Sequence, residues 1–197
     1  MSLSAATLPT LTQAPYWYLT RSTGITAFVL LTLAMAFGIA ATQRSLASPS
    51  WPRFATQNLH RNLSLLALAF LGVHIVTTLV DGFVTITSWS VIVPFLSEYR
   101  RLWVALGTIA LDLTLLVTVT SLVRLRMQAQ VWRWIHYAVY AVWPLTFLHF
   151  INTGTDSAHG RFGLWIAIGC AGIVGAAIAV RVSAGADQPA PTRSLVR

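Results

Sequence analysis

The chain has 197 residues, of which 56% are hydrophobic and only 9% charged, and its mean hydropathy is +0.69. A soluble domain carries about a quarter charged residues, so this composition excludes a water-soluble globule and indicates a single integral membrane domain. The 13 basic residues are all arginine, against 5 acids, for a formal charge of +8; they flank apolar runs as membrane anchors do, which argues against nucleic acid as a partner.

The stretch from Met1 to Thr20 lacks the positively charged start of a signal peptide and reads as an extracytoplasmic segment. Five apolar runs follow, over residues 22–42, 62–80, 102–123, 134–151 and 162–181. Each approaches the roughly 20 residues that cross a bilayer, and each must be helical because lipid offers the backbone no hydrogen bonds. The predicted fold is all-α: a polytopic membrane helix bundle with five transmembrane helices within residues 21–182, then a disordered tail over residues 183–197. Arg44, Arg53, Arg61, Arg124, Arg126, Arg133, Arg181, Arg193 and Arg197 fall on one side, and Arg21, Arg100, Arg101 and Arg161 on the other. The positive-inside rule then places the N-terminus outside and the C-terminus inside.

Trp17, Trp51, Trp89, Trp132 and Trp134 lie near predicted helix ends, as interfacial aromatic belts do. The stretch 82–97 is apolar but interrupted by Pro94 and several hydroxyl residues, and is expected to lie on or dip into the outer face. Cys170, the sole cysteine, excludes an internal disulfide and reads as a small packing residue.

Four histidines carry most of the chemistry: His60 with His74, and His136 with His149. An ionisable side chain at membrane depth needs a partner or a function, and an interhelical hydrogen bond is the plain alternative for any one of them; four in two depth-matched pairs point further. Fourteen residues of ideal helix turn through roughly 1400° and rise about 21 Å, so His60 and His74 share a face. Thirteen residues turn through roughly 1300°, about 140° short of four turns, yet rise about 19.5 Å, close to the first separation. The second and fourth spans run in the same direction, which matches His60 with His136 near the cytoplasm and His74 with His149 near the outer face. Two haems stacked across the bilayer, each held by two imidazoles, fit this pattern. It requires the fourth segment to depart from a regular helix, and Pro144 makes a wide turn or bulge between residues 139 and 146 the expected place.

Other residues have alternative readings. Arg21 is either a contact for a propionate of the outer haem or an interfacial anchor; Arg61 and Arg133 are inner-propionate contacts or positive-inside anchors. Asp112, at mid-span, is a proton-handling group, a partner of a ligand imidazole, or a structural hydrogen-bonding residue to a neighbouring Thr or Ser. Trp143 and Phe70 lie between the two histidine depths and either bridge the haems or pack the core. Gly72 makes room for a flat macrocycle or for a neighbouring helix. His159 reads as a solvated residue of an outer loop, with a metal or haem ligand as the other reading.

Further pieces are Arg21-Ser22-Thr23-Gly24 opening the first span, Trp103 with Gly107, Thr120-Ser121 with Arg124, Trp132 four residues before His136, and Gly154-Thr155-Asp156 after His149. With the histidine spacings, they make the chain resemble the ferric reductase-like transmembrane domain family over about residues 16–178. That family includes the membrane cores of NADPH oxidases and ferric reductases, and the haem-binding subunit of periplasmic methionine sulfoxide reductase. The resemblance implies a membrane cytochrome with two b-type haems, electrons moving outward, and axial ligand pairs His60/His136 and His74/His149. The family's oxidases continue into a flavin- and NADPH-binding domain, whereas about 16 residues follow the last span here and no glycine-rich dinucleotide fingerprint occurs. The expected electron source is therefore a separate cytoplasmic flavin reductase or reduced flavin. The expected acceptor is external: ferric iron, oxygen, a quinone or a partner protein. Two other functions compete, a haem-binding membrane subunit that docks and reduces a periplasmic oxidoreductase, and a haem-free proton or ion pathway.

Overall fold

The computed structural model describes residues 14–42, 52–81, 86–154 and 162–186. These form seven α-helices, with no strand among the described residues: α1 (Ala14–Ala41), α2 (Arg53–Val80), α3 (Ser88–Ile92), α4 (Arg101–Leu122), α5 (Ala129–His136), α6 (Val139–Thr153) and α7 (Phe162–Ala186). A short 3₁₀ turn, Arg124–Arg126, joins α4 to α5.

Four helices are long and apolar enough to cross a membrane: residues 15–41, 54–80, 101–122 and 162–184. They correspond to the first, second, third and fifth apolar runs, and the chain is a multi-pass membrane protein. The helices outrun the predicted spans. α1 begins at Ala14, with Pro15 in its first turn, where a missing N–H costs nothing. α2 begins directly after Pro52, which brings His60 and Arg61 inside the helix. α7 continues to Ala186, so the first residues of the expected tail are helical; residues 187–197 lie outside the described residues.

The fourth apolar run differs most from expectation. It is two helices, α5 of 8 residues and α6 of 15, joined at Tyr137–Ala138. Pro144 lies inside α6 without ending it. The break precedes the proline, and it tightens the helix where a widening was expected. Ala138 N–H donates to Ile135 O, Tyr140 N–H to Tyr137 O and Ala141 N–H to Ala138 O, three bonds of the 3₁₀ type. Tyr137 and Ala138 have ψ of −15° and −22°, as that geometry requires. Each residue in 3₁₀ geometry turns about 120° rather than 100° and rises about 2 Å rather than 1.5 Å. The tightening thereby adds rotation and rise and moves the thirteen residues toward the roughly 1400° and 21 Å that fourteen give in α2.

α1 makes its largest interface with α2, and α4 with α6; α1 also packs on α7 and α6. Small residues on α1, Thr23, Ala27 and Ala34, are buried and let its neighbours approach closely. Met35, Ile39 and Val174 form a core cluster against which Trp143 and Ala177 pack. Hydroxyls within the helices return their hydrogen to the carbonyl one turn back, as Thr32 does to Phe28, Thr78 to His74 and Thr146 to Val142. This satisfies them where there is no water. Large apolar side chains such as Leu66, Val76, Leu122 and Trp165 are exposed, as a lipid-facing surface demands.

Of the stretch expected at the outer face, residues 88–92 form α3, and residues 82–85 lie outside the described residues. Thr108 of α4 donates to Ser90 O at 2.8 Å and pins α3 down. Phe95 and Arg100 take left-handed backbone conformations (φ 68° and 41°) where the chain turns back into α4. Arg101 Nε donates to Phe95 O at 2.7 Å across that turn.

Candidate functional site: four imidazoles on two helix pairs

Each of the four histidines uses the same ring nitrogen against the helix behind it. His60 Nδ1 is 2.7 Å from Ala34 O and His74 Nδ1 2.8 Å from Thr20 O, both on α1. His149 Nδ1 is 2.8 Å from Trp103 O on α4. A carbonyl can only accept, so Nδ1 carries the proton in all three and Nε2 keeps its lone pair. This is the arrangement by which a metal-ligating histidine is oriented and made more basic. His136 differs: its Nδ1 faces the Ser121 hydroxyl at 3.5 Å, and its ring stacks on Trp132 with centroids 5.0 Å apart. Trp132 Nε1 donates to the same hydroxyl at 3.4 Å.

Glycine explains why the carbonyls are reachable. A methyl at Gly24, Gly38 or Gly107 would stand 2.9, 3.1 or 2.5 Å from the ring of His74, His60 or His149. In each case the accepting carbonyl belongs to the residue four before the glycine: Thr20, Ala34 and Trp103. A side chain one turn on would cover that carbonyl; its absence opens a slot for the imidazole edge. The slots have the same period as His60 and His74. Gly24 and Gly38 are separated by that period, and so are Gly107 and Ser121, with the serine hydroxyl taking the place of a bare carbonyl at the fourth position. The sequence motifs include Gly24, Gly107 and Ser121 without these roles and miss Gly38. The period shared with the histidines was the available signal.

At one level two of the rings face each other directly. His60 and His136 have centroids 6.3 Å apart at an interplanar angle of 76°. Two imidazoles on opposite sides of one metal, each through a bond of about 2 Å with the ring radius added, put their centroids about 6 Å apart. His74 and His149 lie within electrostatic range of each other. The donor set and the glycine slots, with the ring spacing of His60 and His136, fit two haems, each held by two neutral imidazoles. Thr20 Oγ1, buried beside the carbonyl that holds His74, has no hydrogen-bond partner among the described residues, leaving a donor available to a carboxylate.

The other expected site residues are placed less centrally. Arg21, one residue from Thr20, lies over the Trp17 ring at 4.2 Å. Arg61 and Arg133 are exposed beside His60 and on α5, and neither side chain makes a hydrogen bond or ion pair among the described residues. Asp112 is also exposed, and among the described residues its carboxylate bonds neither an imidazole nor a neighbouring hydroxyl; all four Nδ1 atoms face other partners. A methyl at Gly72 would meet no atom within 4 Å, so helix packing does not account for it. Phe70 stacks on no ring among the described residues, whereas Trp143 is stacked on Phe147 at 5.3 Å and on Phe28 at 6.1 Å. Phe28 in turn stacks on Phe150 at 4.7 Å. Trp143 Nε1 donates to the buried Thr32 hydroxyl at 3.0 Å, so Trp143 is fixed between the two histidine levels. Arg100, which the sequence marks only as an outer-side arginine, bonds Asn152 O, three residues beyond His149, and ties the end of α6 to the start of α4. His159 lies outside the described residues.

Residues 23–147, more than half of the chain, match the family described as Ferric reductase like transmembrane component, and the chain belongs to that family. The match takes in His60, His74 and His136 and ends two residues before His149. Neither the curated proteins nor the solved structures contain a significant match.

Proposed function

We propose that this ferric reductase-like chain is a membrane cytochrome with two b-type haems, and that it carries electrons from a cytoplasmic reduced flavin or flavin reductase to an external acceptor. The observation that carries the reading is the common use of Nδ1 by all four histidines, three on backbone carbonyls and one on a hydroxyl, which leaves four Nε2 atoms for metal. When bound, haem supplies a one-electron iron couple whose potential the axial ligands and their hydrogen bonds set.

The protein's own part is positional. α1 holds His60 and His74 from behind one helix, and α4 holds His136 and His149 from behind the other. The tight turn at Tyr137–Ala138 brings the second pair into register with the first. His60 with His136 forms the cytoplasmic ligand pair, and His74 with His149 the outer one. With all four imidazoles committed to haem, the chain would offer a substrate no metal position, and ferric iron, oxygen, a quinone or a partner protein would be reduced at the outer edge. Arg21 with Thr20 serves the outer propionates, and Arg61 and Arg133 the inner ones. α5 and α6 together make the fourth of five crossings, with the N-terminus outside.

The test is spectroscopic. Purified protein should show a reduced-minus-oxidised b-type band and be reduced by added reduced flavin. Absence of the band rejects the reading in favour of a haem-free pathway. Reduction in sealed vesicles from the N-terminal side alone rejects the proposed direction.

A further inference from the structure

Asp112 is the twelfth of the 22 residues of α4 and sits nine residues, about 13.5 Å, below Trp103, whose carbonyl marks the level of His149. Its direction is about 140° around the helix from Gly107, away from α6. On the same side, within about 60° of it, are Leu115, Leu116 and Val119, exposed by 49, 47 and 57%. Asp112 is itself exposed and makes no hydrogen bond or ion pair among the described residues. Lipid cannot satisfy a carboxylate, and aspartate is too short to reach an interface from mid-span.

We propose that this face of α4 is covered in the membrane by a transmembrane helix of a second protein, which presents a basic side chain at the depth of Asp112. Charge complementarity selects this occupant over a second copy of the chain. Copies inserted in one membrane share an orientation, so a symmetric pair would oppose Asp112 to Asp112. The chain has no lysine, and its intramembrane arginines, Arg21 beside Thr20 and Arg61 beside His60, lie at the two histidine levels rather than between them. An apolar stripe with one acid at its centre gives such a helix both a packing surface and a fixed register.

The experiment places a photo-crosslinking amino acid at Leu116 in the full chain, expressed in its native membranes. The expected result is a crosslink to one membrane protein, at a peptide within a transmembrane helix that carries Arg, Lys or His at mid-span. Its yield should fall at least fivefold in Asp112→Leu and in Asp112→Asn, with haem content and the b-type spectrum unchanged in the Asn variant. Replacing the partner's basic residue by leucine should cause the same loss. The proposal is overturned by a crosslink to a second copy, by crosslinks to lipid alone, by a partner helix with no basic residue at that depth, or by a yield indifferent to Asp112→Asn.

Discussion

Replacing Gly107 by alanine tests the glycine slots most sharply. The new methyl would stand 2.5 Å from Nδ1 and 2.6 Å from Cε1 of His149. Carbon atoms in ordinary contact are about 3.5–4.0 Å apart, so the ring must retreat by about 1 Å. Nδ1 is now 2.8 Å from Trp103 O, and a retreat of that size takes it past the roughly 3.2 Å reach of an N–H···O bond. Overpacking a helix interface costs about 1–3 kcal/mol and the lost hydrogen bond about 1 kcal/mol more, together about 2–4 kcal/mol. Expressed as retention of the outer haem, that is on the order of a hundredfold weaker binding. The assay is haem per polypeptide, with difference spectra, in the purified variant. Gly24→Ala, at 2.9 Å, should do less, Gly38→Ala, at 3.1 Å, less again, and Gly72→Ala, with no atom within 4 Å, nothing. Full haem content and an unaltered spectrum in Gly107→Ala, or Gly72→Ala as the most damaging of the four, would refute the reasoning.

His74→Ala should remove about one haem of two and leave the potential of the other unchanged; retention of both would sink the ligand pairing. Ser121→Ala takes away the hydroxyl beside His136 Nδ1. It should raise the potential of the cytoplasmic haem alone in a redox titration, because an acceptor at Nδ1 makes the ligand ring more electron-donating. Thr32→Val strands the Trp143 indole N–H in the buried core, and should lower thermal stability in detergent by about 1–3 kcal/mol with both haems retained. An unchanged melting temperature would show that Trp143 is not held there.

Much of this architecture was legible in the sequence because the bilayer imposes strong constraints. His60, His74, His136 and His149 stood out as ionisable residues in apolar runs, and helical rise gave them depths. The angular mismatch between His136 and His149 meant that the fourth segment had to be irregular if both rings were to share a face. The position and sense of the irregularity were not legible. Pro144 looked like the breaker, but a membrane helix accommodates a missing donor, whereas no glycine or proline marks Tyr137–Ala138. The requirement met there is tertiary. α4 offers its slots at Gly107 and Ser121, and the stretch from His136 to His149, one residue shorter than the interval between those slots, must span them. The carbonyl partners were hidden for a related reason. Side-chain patterning says nothing about which backbone oxygens are uncovered until two helices are placed side by side. Asp112 was visible as an anomaly, but its outward direction depends on which face of α4 meets α6.

The measurement closest to the central claim is haem stoichiometry on the purified full chain, with the spectrum and potential of each haem. Two b-type haems per polypeptide, both six-coordinate and low-spin, are the result this account predicts. One haem, none, or a high-spin iron with an open coordination position would contradict it.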